Sequence, residues 1–206
     1  RLDLTLPPFE VYRRLRPEFD TSFMLESAVG GSRTVAYSFL GFGPGEVLTC
    51  RQGRVEGGIG LDHLREDPGG YLRNFTAGFD HPCTRFPFVG GLVGYFSYEF
   101  AGRAEPSVVR YFPSDFPEFE LGLYRECLIY DHSSFQVYLL SVGEAGPLQE
   151  IVGSLPERTD RRDLIVGDLV AEQGREDFEE GVRAVKGRII NGETFQTVLS
   201  RRLSCR

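Results

Sequence analysis

Gln196 is the polar side chain with the clearest claim to chemistry, in Phe195-Gln-Thr-Val-Leu-Ser-Arg-Arg202. A glutamine amide donates and accepts hydrogen bonds but takes no proton at neutral pH, so it can orient a substrate or nucleophile without acting as a base. Arg201 and Arg202 could hold carboxylates, although paired arginines at a strand end are more often surface ion pairs. Gly90-Gly-Leu-Val-Gly-Tyr-Phe-Ser-Tyr98 is glycine-rich. It lacks the GxxxxGK[ST] spacing of a phosphate loop and no lysine follows, so it reads as a buried strand with close backbone approach at Gly90, Gly91 and Gly94. Cys50, Cys83, Cys127 and Cys205 form no CxxC pair or zinc spacing and read as structural thiols. His63, His81 and His132 lie far apart, and nothing in their spacing supports a metal or triad site.

The elements around Gln196 follow from periodicity. Phe178, Val182, Val185 and Ile189 make one helical stripe, with Glu176 and Asp177 in the first turn, Lys186 and Arg188 near the other end, and Gly192 at the C-terminal glycine position. The period then changes to two, which predicts a strand from Phe195 to Leu203 with Gln196, Val198, Ser200 and Arg202 on one face. A covering neighbour for that strand is expected beyond the 206 residues.

Net charge is −7, which argues against a general nucleic-acid binder. No run of 18 apolar residues predicts a membrane span, and no signal peptide is expected. The chain opens Arg-Leu-Asp-Leu-Thr without methionine, so residues are expected to precede it.

In chain order, a helix is expected over 8–15 with Phe9, Tyr12 and Leu15 as its apolar side, and a hairpin of 22–27 and 34–40 turning at Gly30-Gly-Ser32. A second hairpin pairs 46–51 with 54–56 around Gln52-Gly53, and 61–75 is helical with a break at Pro68-Gly-Gly70. Strands are read at 90–98, at 118–131 paired with 135–141 around His132-Ser-Ser134, and at 165–172, with a helix at 147–155. Strands separated by single helices, without regular βα alternation, predict an α+β fold, mainly antiparallel, with flanking helices. The charged loop 158–163 is the candidate domain boundary, giving domains 1–163 and 164–206.

Four segments together resemble component I of anthranilate synthase, in the chorismate-binding enzyme family. They are Phe23-Met-Leu-Glu-Ser27 with Ala36-Tyr-Ser-Phe-Leu-Gly41, Gly90-Gly-Leu-Val-Gly-Tyr-Phe-Ser-Tyr-Glu99, Ile129-Tyr-Asp-His132, and Gly192-Glu-Thr-Phe-Gln-Thr-Val-Leu-Ser-Arg-Arg202. They occur in the family's order across nearly the whole chain. The family's subunit is about twice this length, so the chain corresponds to its N-terminal part.

The resemblance implies conversion of chorismate and ammonia to anthranilate and pyruvate in the cytoplasm, with ammonia supplied by a glutamine amidotransferase subunit and magnesium as cofactor. It implies a two-sheet sandwich, an N-terminal regulatory domain, and magnesium ligands in sequence outside this chain, so the 206 residues alone are expected to make no anthranilate. It also implies a tryptophan feedback site at Glu26, Ser27 and Ser38. A carboxylate can take the ligand's ammonium, and serine hydroxyls can orient a zwitterion. Ala36 stands where the family has arginine. At the position of Gln196, relatives that add water to chorismate carry a lysine base, and ammonia needs none. The folate-pathway relative, aminodeoxychorismate synthase component I, tends to QxNLT where this chain has Gln196-Thr-Val-Leu-Ser200. A non-catalytic amino-acid-sensing module is the alternative from another class.

Overall fold

Pro8 opens helix α1 (Pro8–Leu15), where its missing N–H costs no helical bond. Glu10 in the first turn draws in Arg13 and Arg14, at 2.9 and 2.7 Å. The helix buries Val11 and Leu15, one turn apart, while the expected Phe9 remains 60% exposed. In the computed structural model the described residues are 1–26, 37–58, 60–78, 85–105, 107, 115–143, 146–155 and 167–205. They divide into two compact units, Arg1–Arg158 and Thr159–Arg206. The expected boundary at 163/164 lies outside the described residues, as does the turn expected at Gly30-Gly-Ser32.

The first unit holds two antiparallel four-stranded sheets. Strands β1 (Ser22–Glu26), β2 (Tyr37–Phe42), β3 (Glu46–Arg51) and β4 (Arg54–Glu56) come first. Helix α2 (Pro68–Ala77), β5 (Gly91–Phe96) and the short α3 (Ala101–Ala104) follow. Strands β6 (Phe119–Tyr124), β7 (Glu126–Asp131) and β8 (Gln136–Ser141), then helix α4 (Leu148–Gly153), complete the unit. One sheet runs β1-β2-β7-β8 and the other β4-β3-β6-β5. With helices against antiparallel sheets, the fold is α+β, in agreement with the sequence.

Three apolar clusters hold these layers. Leu40, Phe42, Leu128, Tyr130 and Val137 meet Val11 and Leu15 of α1 and Leu148 and Val152 of α4. On the opposite face of that sheet, Phe23, Cys127, Ile129 and Tyr138 meet Phe86, Val89 and Tyr124, with Val93 of β5 against them. The second sheet buries Leu48, Cys50, Val55, Phe119 and Leu121 with Tyr71 of α2. Burial raises the thiols of Cys50 and Cys127 to about 12, so both are unreactive side chains of the core. Gly94 is required by close approach, since a Cβ there would collide with the Glu120 carbonyl on β6.

The structure corrects three expectations. The run 118–131 is two strands, β6 and β7, in different sheets, with Arg125 between them. β7 is buried on both faces, so its apolar residues do not alternate and the pattern shows no break. The break at Pro68-Gly-Gly70 is instead the first turn of α2, with Asp67 as N-cap accepting from Gly70 N at 2.9 Å.

The third correction lies in the second unit, where β9 (Val170–Ala171), α5 (Arg175–Ile190) and β10 (Leu203–Ser204) follow one another. The strand expected from Phe195 is formed only at Leu203 and Ser204, which pair with Ala171 and Val170. Phe195 and Val198 are 94% and 84% exposed, so the alternation has no sheet on which to bury a face. Helix α5 ends as the sequence predicts, at Gly192 with φ +75°.

Candidate functional site

Strand register assembles the site. Glu26 on β1 pairs with Ser38 on β2, and Ser38 pairs with Tyr130 on β7. Cross-strand partners share a face, so a carboxylate, a hydroxyl and a phenol form one row across three strands. Glu26 is exposed at the strand end, while Ser38 and Tyr130 are buried.

Ser38 Oγ lies 2.7 Å from His132 Nε2 and 3.5 Å from Glu26 Oε1. The hydroxyl therefore bridges an imidazole and a carboxylate. This is no nucleophile: Ser38 is 0% exposed, and the carboxylate reaches the serine rather than backing the histidine. The arrangement suits binding, with an acceptor at the surface for a cationic group and a hydroxyl fixed behind it.

His132 is held by the turn that follows β7. Asp131 Oδ1 accepts from Ser133 N at 3.0 Å, Ser133 Oγ at 2.6 Å and Ser134 N at 3.2 Å. The Ser133 hydroxyl is the main cause that lowers the Asp131 carboxyl to about 2, against the burial that would raise it. Between this turn and the N-terminal segment lies a cleft of about 390 Å³, lined by Leu6, Pro7, Tyr130, Asp131 and His132 among others. Leu2 N donates to Val137 O at 2.9 Å and ties that segment to β8. Among the described residues the buried Tyr130 hydroxyl has no hydrogen-bond partner, and burial raises its pKa well above the usual phenol range.

Of the residues picked from sequence, the structure brings Glu26 and Ser38 together. Ser27 and Ala36 lie outside the described residues. Gln196 belongs to the second unit, where its side chain is exposed on an irregular segment and its carbonyl accepts from Thr194 Oγ1 at 2.9 Å. Arg202 pairs with Glu172 at 3.6 Å, in keeping with the ion-pair reading for that residue. Sequence reasoning missed His132 and Tyr130 as site residues. They lie 94 and 92 positions from Ser38, and only the β2–β7 pairing brings them there. The signal available was the Ile129-Tyr-Asp-His132 match, which by itself marks a hairpin.

Among the described residues no three His, Cys, Asp or Glu side chains converge to hold a metal ion. Among the same residues, no helix is long and apolar enough to cross a membrane.

The chorismate binding enzyme family matches residues 20–206. The chain is 34% identical over 197 residues to anthranilate synthase component 1 of Methanothermobacter thermautotrophicus, covering 94% of the chain and 41% of that protein. It is 31% identical over 205 residues to the protein of the same name from Thermococcus kodakarensis, covering 94% of the chain and 43% of that protein. The crystal structure of anthranilate synthase component I from Streptococcus pneumoniae aligns with a TM-score of 0.61 at 21% identity, over 100% of this chain and 48% of that one, a likeness of fold. The chain thus spans under half the length of the curated relatives it matches. Matched over nearly its whole length, the chain belongs to the chorismate-binding enzyme family.

Proposed function

We propose that this chain is part of a cytoplasmic anthranilate synthase component I. The full subunit, a lyase, converts chorismate and ammonia to anthranilate, pyruvate and water in tryptophan biosynthesis. Ammonia comes from glutamine through an amidotransferase partner, and magnesium serves as cofactor at residues outside those described. Gln196 orients substrate or ammonia by hydrogen bonding, and ammonia carries its own lone pair and needs no base. Glu26, Ser27 and Ser38 bind tryptophan as feedback inhibitor.

The observation that carries the regulatory part is the register pairing of Glu26 with the buried Ser38. It sets a carboxylate for the ligand's ammonium beside a fixed hydroxyl, which is what a zwitterion requires. Similarity to anthranilate synthase component 1 over 94% of the chain supports the reaction. The test uses the full-length subunit with chorismate, magnesium and ammonium, and identifies the product by fluorescence and mass. Anthranilate is expected. Aminodeoxychorismate would move the protein to folate synthesis, and no product of either kind would leave a sensing module as the better account.

A further inference from the structure

Ser38 carries one hydroxyl proton and has two acceptors within reach. His132 Nε2 is 2.7 Å away and Glu26 Oε1 is 3.5 Å away. At those distances the bond to the imidazole is strong and the bond to the carboxylate is marginal. With a neutral imidazole whose Nε2 is unprotonated, the hydroxyl donates to His132. Glu26 then keeps its lone pairs free.

Protonation reverses this. A protonated Nε2 can only donate, so the serine oxygen becomes the acceptor and its proton must turn to Glu26. The carboxylate is then partly engaged, and a positive charge stands one side chain behind it. Both changes oppose a ligand's ammonium at Glu26. Imidazole is the side chain whose unperturbed charge change falls near neutrality.

We propose that His132 is a positioning residue of the effector site: it draws the Ser38 hydroxyl away from Glu26, leaving that carboxylate for the ammonium group of an amino-acid ligand, and its protonation weakens binding. This rests on the reading of Glu26 and Ser38 as the tryptophan site. Among the described residues, the charged and titratable groups around the imidazole are Glu26 on β1, Tyr130 and Asp131 on β7, and Arg1 and Asp3 of the N-terminal segment across the cleft. Asp131 is committed to its own turn by three hydrogen bonds, which leaves the row of Ser38 and Glu26 as the partner His132 can influence. His132 is half-buried beside the cleft and lies within hydrogen-bond distance of the sealed Ser38.

The test is tryptophan binding to the full-length subunit by calorimetry at about pH 8 and about pH 6, the window in which imidazoles change charge. Wild type, His132→Ala and His132→Gln are compared, and a thermal melt of each confirms folding. Wild type is expected to bind about fivefold or more weakly at the lower pH, the worth of one hydrogen bond. His132→Ala is expected to bind about fivefold more weakly at the higher pH. His132→Gln, whose amide oxygen can accept from Ser38 but takes no proton, should bind like wild type at the higher pH and lose the pH dependence. It also keeps the test decisive if the alanine variant does not fold. An alanine variant that binds like wild type, a glutamine variant that keeps the wild-type pH response, or tighter wild-type binding at the lower pH would overturn the proposal. A wild type that binds no tryptophan at either pH would overturn the effector reading itself, and this inference with it.

Discussion

Ser38 and Gln196 show how differently two polar side chains can be placed. Ser38 is sealed in the sheet with its hydroxyl committed to His132, while Gln196 is exposed on a segment that forms no strand. The role assigned to Gln196 rests on chemistry: an amide orients without taking a proton. Gln196→Lys in the full-length subunit is expected to slow ammonia-dependent anthranilate formation by tenfold or more, about the worth of a hydrogen bond to a charged or reacting group. Steady-state rates at saturating ammonium check this, and an unchanged rate would remove Gln196 from the chemistry. At this scale the sequence was legible only in part. Glu26 and Ser38 could be picked out through the resemblance, but their contact with His132 depends on a strand pairing that local pattern does not encode.

Elements were more legible where a local chemical signal exists. The helix α1, the turn at Gln52-Gly53, the strand containing Gly94 and the end of α5 at Gly192 all follow from proline, glycine and periodicity, although that strand ends at Phe96 and exposes Tyr95 and Phe96 rather than being buried as expected. The β6–β7 boundary did not, because a strand buried on both faces carries no alternation. One part-buried ion pair joins several of these elements. Glu118, ahead of β6, pairs with Arg103 of α3 and accepts from Gly53 N at 3.1 Å, so one carboxylate ties α3 and the β3–β4 turn to the second sheet. Arg103 keeps 33% of its side chain exposed, which limits the cost of stranding its charge. Glu118→Ala is therefore expected to destabilise by about 2–3 kcal/mol, below the usual figure for a fully buried pair. Urea unfolding measures this, and a loss under about 0.5 kcal/mol would mean that the pair contributes little.

The Asp131 turn makes a pH-dependent prediction at the same scale. Its carboxyl is lowered from 3.8 to about 2, chiefly by the Ser133 hydroxyl, so the folded state favours the ionised form. For an acid with a depressed folded pKa, the stabilisation is present above the unfolded value and is lost as pH falls through the folded one. Part of the stability should therefore disappear between about pH 4 and pH 2, and Asp131→Asn, which does not titrate, should show a shallower acid dependence. Equal slopes for the two proteins in urea melts across that range would contradict the assignment.

At the scale of the molecule, the chain is two units. The row of Glu26, Ser38 and His132 belongs to the first and Gln196 to the second. The α+β class was readable from the order of strands and helices. The strand expected to carry Gln196 was not formed because its apolar residues have no sheet against them. The proposed regulation requires a ligand held by the first unit to govern chemistry completed by sequence outside the described residues. The most direct test is tryptophan inhibition of full-length wild type and Glu26→Gln, with chorismate, magnesium and ammonium as substrates and cofactor. Replacing the carboxylate removes its charge–charge contact with the ligand's ammonium but keeps the side-chain volume. The half-inhibiting tryptophan concentration is expected to rise by about tenfold or more, the worth of a charge-assisted hydrogen bond. Inhibition of Glu26→Gln at the wild-type concentration would contradict the account.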